Sequence, residues 1–238
     1  MRTQKKADAS DSRGRCLLAR SDALLGVPWM PAGPCGDAEP QAAVPVAGGL
    51  DALKRAVEAE FPFCESLAGA TACVFGEGDP TADLVFVGEA PGADEDRLGR
   101  PFVGAAGRKL DEIIKAMGLE RDEVYICNVL KARPPGNRTP LPDEVAQATP
   151  WLYGQLRLIR PSVIVALGGP AAKLLLQTGQ GITRLRGRMG VWQDPDSDLS
   201  IPVMPTFHPA YLLRNYTPEV RGQVWQDMQA VMGVMGRD

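Results

Sequence analysis

Short apolar runs rich in β-branched residues alternate along this chain with longer stretches whose apolar positions recur every three or four residues. ADLVFVG (82–88), EVYICNVL (123–130), SVIVALG (162–168) and IPVMPTF (201–207) have the length and composition of buried strands. AAGRKLDEIIKAMG (105–118), PDEVAQATPWLYGQLRLIR (142–160), PAAKLLLQTG (170–179) and PEVRGQVWQDMQAVMG (218–233) have helical spacing, and LDALKRAVEAEF (50–61) adds a further helix. The acids early in 142–160 suit a helix N-terminus. Strands alternating with helices predict parallel strands joined by right-handed crossovers, an α/β layered fold. Residues 1–48 carry no such period. GVPWMPAGPCGDAEPQAAVPVAGG cannot build a core, so 1–48 is expected to be a flexible tail and 49–238 the domain.

Composition narrows the function classes without choosing among them. No apolar run approaches the ~20 residues of a membrane span. The opening MRTQKKADASDSRGRC lacks the apolar core of a signal peptide, so a cytoplasmic protein is expected. Five cysteines (Cys16, Cys35, Cys64, Cys73 and Cys127), an odd number without compact spacing, argue for reduced thiols rather than a disulfide framework. The net charge of −3 is uninformative by itself. KARPPGNR (131–138) and RLRGR (184–188), however, concentrate basic residues in loops, as a DNA-binding face requires.

Ligands in parallel α/β sheets bind outside the carboxyl ends of the strands. The segments leaving those ends are GEAPGADED, NVLKARPPGNRTP, a Gly-Gly pair and HPAYLLRN, so every unusual polar cluster falls on one rim. GEAPGADEDRLGRPFVG (88–104) offers backbone N–H groups near Glu89, Glu95 and Asp96. Neither a dinucleotide fingerprint nor a P-loop is present, and a following helix is not expected. No metal site is expected, because the acids have no histidine to assist them. Asn128 presents a donor and an acceptor to one planar edge, as a nucleobase demands. Phe102 is an aromatic within a loop, and His208 is the sole histidine of the chain.

Taken together, VFGEGDPTADLVFVGEAPGADED, GRPFVGAAGRKLDEII, VYICNVLKARPPGNRTP, RPSVIVALGGPAAKLLL and PTFHPAYLLRN resemble the uracil-DNA glycosylase superfamily. The likeness is greatest to its family 4, whose members usually carry an iron–sulfur cluster. It implies a three-layer α/β sandwich with a central, mainly parallel four-stranded sheet flanked by helices. It also implies excision of uracil from single- and double-stranded DNA by a monofunctional, monomeric hydrolase that leaves an abasic site. Phe102 then resembles the residue that stacks on flipped uracil, Asn128 the one that reads its edge, and His208 the donor to its O2. Gly88, Glu89, Ala90 and Gly92 match the motif lining the pocket and the attacking water. Ala90 stands where the best-known branch has a water-activating aspartate, so Glu89 is expected as the catalytic carboxylate ahead of Glu95. Lys131, Arg133, Asn137 and Arg138, with Tyr211, Leu212, Leu213 and Arg214, match DNA-contacting segments. A covalent route through a histidine after the asparagine is closed, since that loop has none.

The cysteines depart from the pattern. Where family 4 has four cluster ligands, this chain has Phe61, Cys64, Ala132 and Ala148. One thiolate cannot hold a four-iron cluster, so no cofactor is expected. Cys127, opposite to Asn128 by strand alternation, is expected in the core. The competing function is a protein that binds uracil or abasic DNA with little turnover; retention of Glu89, Phe102, Asn128 and His208 argues against it.

Overall fold

The structure is a computed structural model, and it describes residues 48–237. The tail proposed for 1–48, with Cys16 and Cys35, lies almost wholly outside the described residues. The order of elements is α1 (Gly49–Ala59), β1 (Glu77–Gly78), β2 (Leu84–Gly88), α2 (Ala93–Leu98), α3 (Ala105–Ala116), β3 (Tyr125–Asn128), α4 (Pro142–Ile159) and β4 (Val163–Leu167). It continues with α5 (Gly169–Leu176), α6 (Ile182–Leu185), β5 (Gly190–Gln193), β6 (Ser200–Thr206), α7 (Pro209–Arg214) and α8 (Pro218–Val234).

The sheet has six strands in the order β1-β3-β2-β4-β6-β5, not four. Its middle four are the parallel strands read from the sequence. The two additional strands are antiparallel edges. β1 pairs with β3 over two residues, and β5 pairs with β6. β1 is too short to show a period, and β5 places Trp192 inward between exposed Val191 and Gln193. Helix α2 directly follows the Pro91-Gly92 turn after β2, contrary to the expectation of no helix there. Its acids Asp94, Glu95 and Asp96 occupy the first turn, where the helix dipole favours them.

Side chains of the inner strands alternate between two apolar layers. Val85, Val87, Cys127, Ile164 and Ala166 face one cluster, completed by Leu152 and Leu156 of α4. Phe86, Ile126, Val165 and Met204 face the other, completed by Leu110 and Ile114 of α3 and Met228 and Val231 of α8. Cys127 is thus core, as its alternation with Asn128 predicts.

One ionic link ties the layers where β6 ends. Thr206 Oγ1 donates to Asp227 Oδ2 over 2.6 Å, and Arg186 Nη2 donates to Asp227 Oδ1 over 2.7 Å. This link fixes the strand end two residues before His208. Asp227→Ala leaves Arg186 half-buried without its carboxylate, and the expected loss of unfolding free energy is about 3 kcal/mol. Urea denaturation measures it, and an unchanged midpoint would contradict this reading of the link.

Candidate active site

The register of β2 with β3 sets the first contact of the site. Gly88 pairs with Asn128, and the ladder runs on through Val129 N–H to Gly88 O and Leu130 N–H to Glu89 O. A Cβ at Gly88 would lie 2.3 Å from Asn128 Oδ1 and 2.5 Å from Phe102 Cζ. Only glycine lets these two side chains close over the strand end. Asn128 is 1% exposed, and its Oδ1 has no hydrogen-bond partner among the described residues. A buried carbonyl oxygen left unpaired costs free energy, so a group that supplies a donor there binds favourably.

Phe102 is buried, and its ring centroid lies 5.6 Å from that of His208 with a 32° tilt. Its backbone is left-handed (φ 50°). Glu95 supports this turn: Oε1 accepts from Val103 and Gly104 N–H, each at 2.9 Å, and Oε2 accepts from Gly92 N–H at 3.1 Å. Expected as a second catalytic carboxylate near the base, Glu95 instead spends both oxygens on backbone amides. It braces Gly92 against the Phe102 loop. Asp96 has a similar use, accepting from Thr71 and Ala72 N–H.

His208 caps α7. Its Nδ1 accepts from Ala210 N–H at 3.1 Å, so in the neutral ring the proton sits on Nε2, which is left as a donor. Burial, then the Arg214 charge, pushes the imidazole pKa down to about 4, with Glu95 opposing. Gly168, at φ +93°, makes room beside it: a Cβ there would stand 3.1 Å from His208 Cβ. The sequence showed this glycine only as part of a Gly-Gly pair.

Glu89 follows Gly88 at the same strand end, and burial raises its carboxyl pKa above the usual range. It borders a cavity of about 150 Å³ whose walls include Val129, Pro140, Val145 and Pro170. Ala90 is half-buried beside it and packs on the apolar cluster under α4. A larger groove of about 590 Å³ lies between α3 and α8 and contains none of these residues.

The expected DNA contacts divide. Lys131 is 1% exposed, its Nζ donating to Asn128 O (2.7 Å) and Gln155 Oε1 (2.6 Å). It supports the backbone of Asn128 from within and is closed off from the surface. Arg133 donates to Asn137 Oδ1 over 2.7 Å, and Arg138 pairs bidentately with buried Glu144, so these side chains shape their own loop. On α7, Leu212 is 3% exposed and packs with Phe207 and Val224, contrary to its expected place in DNA. Leu213 is 45% exposed and Arg214 is exposed beside it; Tyr211 stacks on Phe207 at 4.7 Å. The helical turn thus offers Leu213 and Arg214 outward.

At the positions where the resemblance expects cluster ligands, Ala132 and Ala148 are buried in the apolar cluster and Phe61 packs against it. Phe61 also meets Phe63 edge-on at 5.9 Å. Cys64 Sγ contacts Ser66 Oγ at 3.3 Å. These side chains do not fit an iron–sulfur cluster, and no group of metal-ligating residues occurs among the described residues.

His208 is the one histidine, so its titration by NMR is unambiguous once no affinity tag is present. A midpoint near 4 is expected, and one near 6.5 would contradict the burial. The unfolded chain then binds more protons than the native one between those values. This group's contribution therefore favours folding fully above pH 6.5 and weakens as pH falls towards 4. Gly88→Ala should keep the fold yet lower any activity of the site at least about a hundredfold, since misplacement by ~1 Å costs that much.

Comparison with known proteins identifies the family. Residues 75–229 match the model of the Uracil DNA glycosylase superfamily. A Type-4 uracil-DNA glycosylase of Thermotoga maritima is 46% identical over 160 residues, 67% of this chain and 81% of that protein. One from Archaeoglobus fulgidus is 41% identical over 178 residues, 73% of this chain and 87% of the relative. A Type-5 uracil-DNA glycosylase of Pyrobaculum aerophilum is 36% identical over 115 residues, covering 42% and 50% of the two chains.

Proposed function

This chain belongs to the uracil-DNA glycosylase superfamily, a hydrolase of N-glycosyl bonds in DNA, and from that premise we propose how its own residues select and release uracil. The unpartnered Asn128 Oδ1, buried beside Phe102, carries the reading. Uracil presents N3–H and O4 side by side. The Asn128 oxygen accepts from N3–H and its amide donates to O4, while the Phe102 ring covers the base. Cytosine has an acceptor at N3 and a donor at C4, so both contacts become repulsive. A site built around such hydrogen bonds rejects the wrong partner strongly. The base has to leave the stack to enter, at a cost of a few kcal/mol. Leu213 and Arg214 are the outward groups placed to fill and brace the gap.

Cleavage of the glycosidic bond sends its electron pair to the base and leaves positive charge on the sugar. His208 Nε2–H stabilises the departing uracil anion at O2 in a buried setting, where a fixed donor acts strongly. The imidazole does this neutral, which its lowered pKa ensures at neutral pH. Glu89 stands at the strand end as the carboxylate that favours the sugar cation, orients water and takes its proton as the new C1′–O bond forms. Glu89 then gives this proton up to solvent and the uracil anion takes one from solvent, so the products are free uracil and DNA with an abasic site. An extruded base meets the same pocket whether its strand was single or paired, so both DNA forms are substrates.

No iron–sulfur cluster enters this reading, since one cysteine at four ligand positions cannot bind one. All the named residues come from one chain, so a monomer suffices. Free Cys64, Cys73 and Cys127 suit the reducing cytoplasm. No helix among the described residues is long and apolar enough to cross a membrane.

Single-turnover excision tests the roles. His208→Ala is expected to slow uracil release at least about tenfold with little change in DNA affinity, the loss typical of one oxyanion donor. An unchanged rate overturns its role. Glu89→Gln should lower the rate while removing the acid limb of the pH profile, which lies above ordinary carboxylate values because Glu89 is buried. Persistence of that limb would assign it to another group.

A further inference from the structure

Three segments meet beside the DNA-facing rim: the 61–67 turn, the loop 129–141 after β3, and the first turn of α4. They neighbour the four positions where the resemblance expects ligands, Phe61 and Cys64 in the first segment, Ala132 in the second and Ala148 one turn further along α4. The apolar residues there fill space but are not directional. A different group joins the segments. The Glu144 side chain, 1% exposed, sits at the third position of α4. Its Oε1 accepts from Ser66 Oγ and from Arg138 Nη2, each at 2.6 Å. Its Oε2 accepts from Arg138 Nη1 at 2.9 Å and from Leu141 N–H at 2.8 Å.

A carboxylate that only caps a helix needs the Leu141 amide and no more. The bond to Ser66 reaches 78 residues back along the chain, and the bidentate pair fixes Arg138 in the plane of the carboxylate. Every oxygen lone pair of this buried charge thus serves the junction. Beyond Arg138, the loop tip exposes Pro135, Gly136 and Asn137, with left-handed backbone at the last two. The Arg133–Asn137 bond closes the tip on itself. The tip turns exposed backbone outward, while Arg133 Nη1 also lies 3.9 Å from Asp96 Oδ2 of α2.

We propose that Glu144 is the positioning residue of the 129–141 loop, clamping it to the 61–67 turn through Ser66 and to α4, and so presetting the loop for DNA. The proposal rests on the cluster-free reading above: the clamp does with hydrogen bonds what four thiolates would do with iron. Presetting acts on the free energy of DNA capture, because a loop ordered beforehand costs less to bind. It leaves the chemistry at Phe102, Asn128 and His208 untouched.

The decisive variants are at Ser66, which is exposed and whose loss leaves the Arg138–Glu144 pair intact. For Ser66→Ala, the concentration giving half-maximal single-turnover excision should rise about threefold or more, with the maximal rate unchanged. Ser66→Thr keeps the hydroxyl and should restore it. Glu144→Gln should act in the same direction and more strongly, about tenfold. Wild-type capture by Ser66→Ala, equal defects in the Ala and Thr variants, or a fall in maximal rate alone would each overturn the clamp. Failure of the underlying reading is seen separately in the wild type. Iron bound to the purified protein would defeat the cluster-free premise, and absent uracil release would defeat the function. The clamp would still be read from DNA binding by fluorescence anisotropy.

Discussion

The close approach at Gly88 is the constraint on which the rest of the site depends. Parallel pairing places this residue opposite Asn128, and the absent Cβ admits both the Asn128 amide and the Phe102 ring to the strand end. Around that contact, each neighbouring element has one positioning task. Glu95 ties the Phe102 turn to Gly92, Lys131 holds the Asn128 carbonyl, and Asp227 anchors the end of β6 just before His208. Charged side chains do this, yet none of the three needs to touch a substrate. Their ionic character is used to fix backbone, which is how loops at a sheet rim acquire the precision that recognition of a planar base requires.

Electrostatics divides the rim into two functions. Burial keeps His208 neutral and raises the Glu89 carboxyl, so the strand ends carry no fixed positive charge from the imidazole. The cap on α7 then selects the imidazole tautomer through Ala210 N–H. A single backbone amide thereby decides which ring nitrogen is left as a donor. At the outer edge, Leu213 and Arg214 are exposed where Leu212 is not, since one residue along a helix turns a side chain from core to solvent.

The sequence made the four inner strands legible because both of their faces are buried and their apolar runs are continuous. The edges β1 and β5 were not legible: one is two residues long and the other half-exposed. The pocket side chains Phe102, Asn128 and His208 could be named from residue type and motif, and the structure brings them to one strand end. What residue type could not supply was the occupation of charge. Lys131 and Arg138 read as free cations in a basic loop, but Gln155 and Glu144, distant or on the next element, already engage them. Glu95 read as a candidate catalytic acid for the same reason; only the fold shows three amides converging on it. Gly168 and Asp227 left no motif because their importance lies in contacts with residues distant in sequence, His208 for the first, Thr206 and Arg186 for the second.

The central claim is that a chain with one surviving ligand cysteine still releases uracil from DNA. The most direct measurement is uracil release from a single-uracil oligonucleotide by untagged protein whose iron content has been determined on the same sample. Free uracil and an alkali-labile site produced by iron-free protein is the predicted result. Tight uracil-dependent binding without release, or release only by the iron-containing fraction, would contradict it.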